Sequence, residues 1–262
     1  MTDFVKNEDP DNLVSEERMK VKMKLEDFKK EIKIHFPNAE IGRTFFTKQN
    51  IYLEEKFAFT PGNTRFAEGG CCDEINEPEY QLMERYWGKR FKFGGLAGYC
   101  HGGKTGLKAV SHHVPEVDGR KNLLLVAGPH IAYYDGEWGK IPRSGQSHIT
   151  TSCGSLAVVV EDGYEKIIQK PTDFLDRQQQ TVEQLMLPYL KKCAEAGKAP
   201  DLVEATKFLM QRIDTDLLGI VQDLETQFDG QIAIITGITI NTEHSNYFSV
   251  SKVRVRANER GS

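Results

Sequence analysis

The chain has no run approaching the roughly 18 consecutive apolar residues that a membrane-spanning helix needs, which argues against insertion in a bilayer. It has no lysine- or arginine-rich block, and 34 basic residues against 38 acidic ones leave a formal net charge of -4. A nucleic acid or an anionic lipid surface therefore finds no electrostatic footprint, and a small or neutral ligand is the more natural partner. Cysteine is scarce and odd in number, five in 262 residues, with no spacing that resembles the disulfide framework of a small secreted domain. Free thiols in a reducing compartment are expected. The first twelve residues, "MTDFVKNEDPDN", are acidic and lack the apolar centre of a secretory signal. The expected location is soluble and intracellular: cytoplasm, or chloroplast stroma if a transit peptide has been removed. Internal repeats and low-complexity linkers are also missing, so one domain spanning 1–262 is expected, with a helical part over 1–60 and a core over 61–262.

What is present reads as an α/β protein. Residues 13–35 place Val14, Met19, Val21, Met23, Leu25, Phe28 and Ile32 among lysines and glutamates, the pattern of an amphipathic helix. A second helix is expected from about Arg43 to Phe57, ahead of the turn "TPGN", and a third over "EPEYQLMERYWGKR" with Pro78 in its first turn. "NLLLVAG", Asn122 to Gly128, is the short apolar run of a strand buried on both faces. Further helices are expected from near Ser152, over Asp173 to Glu195 and over Asp201 to Gln227. "QIAIITGITI" and "NYFSVSKVRVR", joined by "NTEHS", read as β-branched strands. Helices alternating with buried strands imply a central, largely parallel sheet flanked by helices.

Three chemistries compete for the polar motifs. Gly98 to Thr105 is a literal G-x-x-x-x-G-K-T match to a phosphate-binding loop. Such a loop needs a hydrophobic strand before it and a helix after it, whereas Gly94 and Gly95 precede it and Gly106 and Pro115 follow. A metal is the second possibility, with Cys71, Cys72, Cys100, His101, His112, His113, His130, His148 and Cys153 as candidate ligands. Position favours His130, at the carboxyl end of the buried strand, where open α/β sheets place ligands. It also favours Cys153 and Cys71, each next to the start of a helix whose dipole stabilises a thiolate. Asp73, two residues after Cys71, is placed to ligate the metal or to accept a hydrogen bond from its water. A cysteine nucleophile at Cys71, Cys72 or Cys153 is the third possibility, and no local signature of such an enzyme accompanies it.

"CCDEIN", "FGGLAGYCHGGKTGLKAVSHHVP", "GPHIAYYDGEWGK" and "SGQSHITTSCG" together resemble the limiting-CO2-inducible B/C protein family, the theta-class carbonic anhydrases related to the beta class. The resemblance runs from about Ile34 to Ala157. It implies a beta-carbonic-anhydrase-like fold, Zn2+ held by Cys71, His130 and Cys153, and reversible hydration of CO2 to bicarbonate by attack of zinc-bound hydroxide. It also implies a homodimer or a homologous-chain partner. The beta-class C-x-D-x-R motif is kept here as Cys71-x-Asp73, but Ile75 replaces its arginine, so the arginine paired with Asp73 must come from elsewhere. Arg65 and Arg43 are the upstream candidates. His101, His112, His113 and His148 are candidates for carrying the proton to buffer. The rival of a different class is a non-catalytic zinc scaffold or bicarbonate-sensing subunit of the same fold.

Overall fold

The computed structural model describes residues 26–257. Of the long N-terminal helix expected over 13–35, residues 26–35 form α1, and the remainder lies outside the described residues. The chain continues through β1 (Ala39–Ile41), α2 (Gly42–Phe57), β2 (Thr64–Gly70), α3 (Glu77–Trp87), β3 (Phe91–Lys92) and α4 (Gly103–Ser111). Strands β4 (Asn122–Gly128) and β5 (His130–Tyr134) follow, then the short β6 (Glu137–Trp138), β7 (Lys140–Pro142) and β8 (Ile149–Thr151). Helices α5 (Gly154–Ile167), α6 (Arg177–Glu195) and α7 (Leu202–Glu225) precede the closing hairpin of β9 (Gln231–Asn241) and β10 (Tyr247–Ala257).

The main sheet runs β1-β10-β9-β4-β2-β3, parallel from β9 to β3 and antiparallel at β10 and β1. Strand β4 shows why its whole length is apolar. Leu123, Leu125 and Ala127 enter the core shared with α4 to α7, while Leu124 and Val126 enter a second core with Phe45, Phe46, Met83 and Trp87 of α2 and α3. Successive side chains of a strand face opposite ways, so a central parallel strand must be apolar at every position.

The flank of β9 is shared by β4 and β5, and this arrangement positions the site. Asn122–Ala127 pair with Gln231–Thr236, and His130–Ala132 resume the ladder at Thr239–Asn241. Between them the backbone jogs at Gly128, whose φ is +152° and where a Cβ would stand 1.8 Å from the Gly237 carbonyl oxygen. Only glycine tolerates that approach. The jog carries His130 past the carboxyl ends of the core strands.

Helix α7 is fastened to the sheet by Asp214, which is 5% exposed. It accepts from Thr236 Oγ1 at 2.9 Å and from Arg254 Nη1 and Nη2 at 2.9 and 3.2 Å, with Lys252 Nζ at 2.8 Å. Burial alone would raise its pKa, but Arg254, Lys252 and Thr236 outweigh burial and lower it. The sign follows: stability from this carboxylate is present above the ordinary aspartate pKa and is lost as pH falls through the depressed folded value. Asp214→Asn is expected to cost about 1.5–3 kcal/mol at pH 7 and to flatten the acid limb of stability, read from urea melts between pH 3 and 7. An acid limb identical to the parent's would contradict this.

Candidate metal centre

Three segments converge at the carboxyl ends of β2 and β4. Cys71 directly follows β2, His130 opens β5, and Cys153 is the N-cap of α5. One ligand atom from each, two sulfurs and one imidazole nitrogen, lie within 4.8 Å of one another, and all three residues are buried. Tetrahedral ligation with these donors places ligand atoms roughly 3.5–3.8 Å apart, so small adjustments suffice to enclose an ion. His130 Nδ1 donates to Asn241 Oδ1 at 2.8 Å, leaving the Nε2 lone pair facing the sulfurs. That nitrogen is fully buried without a hydrogen-bond partner, its nearest charged atom being Asp73 Oδ2 at 3.5 Å. A buried, unsatisfied imidazole nitrogen beside two thiols is what a metal ligand set looks like without its ion, and these donors fit zinc.

Local structure fixes each ligand. Cys153 has φ 52° and ψ 65°, a left-handed conformation that costs a non-glycine residue about 1–2 kcal/mol and turns the chain from β8 into α5. The helix N-terminus behind it favours the thiolate. Ser152 Oγ accepts from the Ala132 amide at 2.7 Å, which ties this turn to β5 two residues beyond His130. Burial alone would lower the His130 pKa, but Cys71 and Asp73 outweigh it and raise the pKa. Proton and metal therefore compete for the same nitrogen.

Asp73 heads a short 3-10 turn, Glu74–Asn76, and its Oδ1 accepts from the Ile75 amide at 3.3 Å. Its arginine partner is neither Arg65 nor Arg43. Arg65 donates to the carbonyls of His113 and Lys89, both at 2.9 Å, at the far end of β2. Arg43 opens α2, where its charge acts on Glu79. The partner is Arg143, just beyond β7, whose Nη1 and Nη2 each donate to a different oxygen of Asp73 at 2.6 Å. Thr150 Oγ1, at 3.0 Å, and the Thr151 carbonyl, at 3.3 Å, hold the guanidinium, and Nη1 also reaches Glu74 at 2.5 Å. Burial works to raise the Asp73 pKa, but the Arg143 hydrogen bonds together with His130 and the Ile75 amide bring it below the usual value. A bidentate guanidinium thus keeps the carboxylate ionised and fixed. Arg143 is the only arginine between His130 and Cys153, the one trace that the sequence carries of it.

The ligands open on a cleft of about 430 Å3 lined by Asp73, Leu96, Ala97, Arg143 and Gln146. Leu96 and Ala97 reach it because the preceding glycine-rich loop lies directly on the strand ends. At Gly98, φ +72°, a Cβ would stand 2.0 Å from the Gly128 carbonyl oxygen. His148 is exposed on the loop that carries Arg143 and Gln146. His101 is turned into the wall, its Nε2 3.2 Å from the Leu96 carbonyl oxygen. His112 and His113 follow α4, where the His113 carbonyl accepts from Arg65 at the end of β2 away from Cys71. Only the two-residue β3 stands ahead of the phosphate-loop pattern, a 3-10 turn at Leu96–Gly98 separates it from α4, and Lys104 is ion-paired with Asp223 of α7. Cys72 is exposed, and the adjacent Cys71 sulfur raises its thiol pKa well above the ordinary value, against a nucleophile there.

No described helix is long and apolar enough to cross a membrane. Comparison with curated proteins finds no match. Among solved structures, PtLCIB4, a homolog of the limiting CO2-inducible protein LCIB, is 30% identical, with 87% of this chain and 94% of that one covered and a TM-score of 0.76. LCIB itself is 22% identical over 87% of this chain and 94% of its own, with a TM-score of 0.66, a likeness of fold. The model of the limiting CO2-inducible proteins B/C beta carbonic anhydrases matches residues 42–257, and the chain belongs to that carbonic-anhydrase-like family.

Proposed function

We propose that the protein catalyses the reversible hydration of CO2 to bicarbonate at a zinc ion held by Cys71, His130 and Cys153. The observation that carries the reading is the buried sulfur, nitrogen, sulfur set with its orphaned His130 Nε2, set beside a carboxylate locked by a bidentate arginine. When bound, zinc supplies Lewis-acid chemistry that lowers the pKa of a water from about 15.7 towards 7. Two thiolates donate more charge than imidazoles and leave that pKa higher, which gives Asp73 a purpose.

Asp73 Oδ2, the oxygen nearer His130, accepts the hydrogen of the reacting water and orients its lone pair towards the substrate. Arg143 acts through Asp73, keeping it ionised and holding both of its oxygens in place. Leu96 and Ala97 supply the apolar wall against which CO2 rests. The released proton leaves by the cleft mouth, where His148 is the one histidine of the four candidates on the site's own exposed loop. His148→Ala is expected to slow turnover in weak buffer and to recover with added imidazole; turnover equal to the parent's at every buffer strength would remove it from the path.

The homodimer expected from the family resemblance belongs to the same proposal and is read by sedimentation equilibrium. Oxygen-18 exchange between labelled CO2 and water tests the function: dipicolinate should abolish it and added zinc restore it. Exchange that survives complete zinc removal would contradict the proposal.

A further inference from the structure

A second set of contacts leads away from the metal-facing side of His130. Its Nδ1 meets Asn241 Oδ1, and both residues are essentially inaccessible, at 1% and 0% exposure. The orientation of the Asn241 amide is forced, because its nitrogen faces only acceptors: Ile75 O at 3.4 Å, Asn76 Oδ1 at 3.1 Å and Asn246 Oδ1 at 3.1 Å. An amide nitrogen donates and cannot accept, so the oxygen must turn towards His130 and take its Nδ1 proton. Asn246 is oriented in the same way, its nitrogen donating to Ile75 O at 3.1 Å and to Glu79 Oε2 at 2.5 Å. Its backbone is fixed as well, since Asn246 O accepts from the Gly42 amide at 2.9 Å. Each hydrogen bond thus sets the direction of the next, beginning from the carboxylate of Glu79.

The two asparagines hold more than the imidazole. Ile75 and Asn76 form the turn headed by Asp73, and the Ile75 amide is itself a donor to Asp73 Oδ1. At the two ends of the β9–β10 turn, Asn241 therefore touches both the ligand His130 and the segment that aims Asp73, and Asn246 touches that segment and Asn241. A displacement of that hairpin would move both groups together. Glu79 also lines an outer cleft of about 830 Å3 with Arg43 and Arg143.

We infer that Asn241 and Asn246, directed by Glu79, are positioning residues of the metal centre: they hold His130 with its proton on Nδ1 and register the Asp73 turn against it. The inference rests on the metal reading of Cys71, His130 and Cys153. Groups that bond a metal-ligating histidine typically change metal affinity 10–100-fold when removed.

The test is the zinc dissociation constant, from chelator competition, for the parent, Asn241→Leu and Asn246→Ala, with visible spectra of the cobalt-substituted proteins. Asn241→Leu is expected to weaken zinc about 10–100-fold and to shift the cobalt ligand-field bands. Asn246→Ala, which does not touch His130, is expected to weaken zinc several-fold with a smaller spectral shift. Affinities within twofold of the parent and unchanged cobalt spectra overturn the inference, even if both variants melt at lower temperature, since a purely structural staple predicts that. Should Asn241→Leu fail to fold, Asn246→Ala decides by the same criterion. A parent that binds no zinc overturns the metal reading and this inference together; a parent that binds zinc no better than its variants overturns this inference alone.

Discussion

Asparagine in place of Asp73 is expected to leave one zinc per chain and to lower CO2 hydration by at least about 100-fold, the lower end of what a positioned proton acceptor contributes. The substitution preserves shape and removes charge. Asp73 now receives two hydrogen bonds from Arg143 and one from the Ile75 amide, all of them donors. An amide can satisfy only the donors facing its oxygen, and its NH2 must either confront the guanidinium or turn towards the cleft. In the second case a donor stands where the water's hydrogen has to be accepted, so that the group loses its role without disturbing the ligands. Metal content is read by elemental analysis and turnover by initial rate. A variant with the parent's rate would remove Asp73 from the mechanism.

Cys153→Ala is expected to lose zinc altogether, and with it any turnover. Alanine meets the same left-handed backbone cost at φ 52° as cysteine does, so the change isolates the sulfur. With the ligand set reduced to Cys71 and His130, the stability that zinc confers by binding the native state disappears, about 2.7 kcal/mol when zinc is at 100 times its dissociation constant. The melting temperature of the parent should therefore rise with added zinc and that of the variant should not. Cys72→Ala is the control. Its side chain is exposed and outside the ligand group, so zinc content should stay at one per chain. Equal zinc retention by Cys153→Ala and Cys72→Ala would contradict the assignment of ligands.

Elements whose chemistry is local were legible in the sequence. "NLLLVAG" reads as a strand buried on both faces, and β4 has those bounds. Pro78 stands in the first turn of α3, and the β-branched runs form the β9–β10 hairpin. Strand β2 left no such trace. "TRFAEGG" mixes a buried Thr64 and Glu68 with two glycines, and it is a strand because β4 and β3 pair with it, a contact made by the tertiary fold. Helix α5 begins at Gly154, two residues past the start expected near Ser152, because the Ser152 hydroxyl accepts from the Ala132 amide across the site instead of capping its own helix.

At the site, the residues alone left nine possible ligands, and position in the fold narrowed them. The structure brings Cys71, His130 and Cys153 together because β2 ends, and β5 and α5 begin, beside the carboxyl ends of the parallel strands. Arg143 was harder to foresee. It approaches Asp73 from a loop 70 residues downstream, held by Thr150 and Thr151 of β8, and no spacing rule links those segments. Arg65 and Arg43 lie upstream of Asp73 in sequence, whereas the fold supplies its partner in space from downstream. Asn241 and Asn246 were hidden for the same reason. In "NTEHSN" they read as ordinary turn residues, and only the folded hairpin places them against His130 and the Asp73 turn.

The central claim, a zinc-dependent CO2 hydratase, is tested most directly by stopped-flow CO2 hydration with a pH indicator, using the zinc-loaded protein and Cys153→Ala as its baseline. The account predicts acidification by the parent well above the uncatalysed rate, and a variant that matches buffer alone. A parent that binds one zinc per chain but acidifies no faster than Cys153→Ala would contradict it, and would make the protein a zinc-binding member of the family without this catalysis.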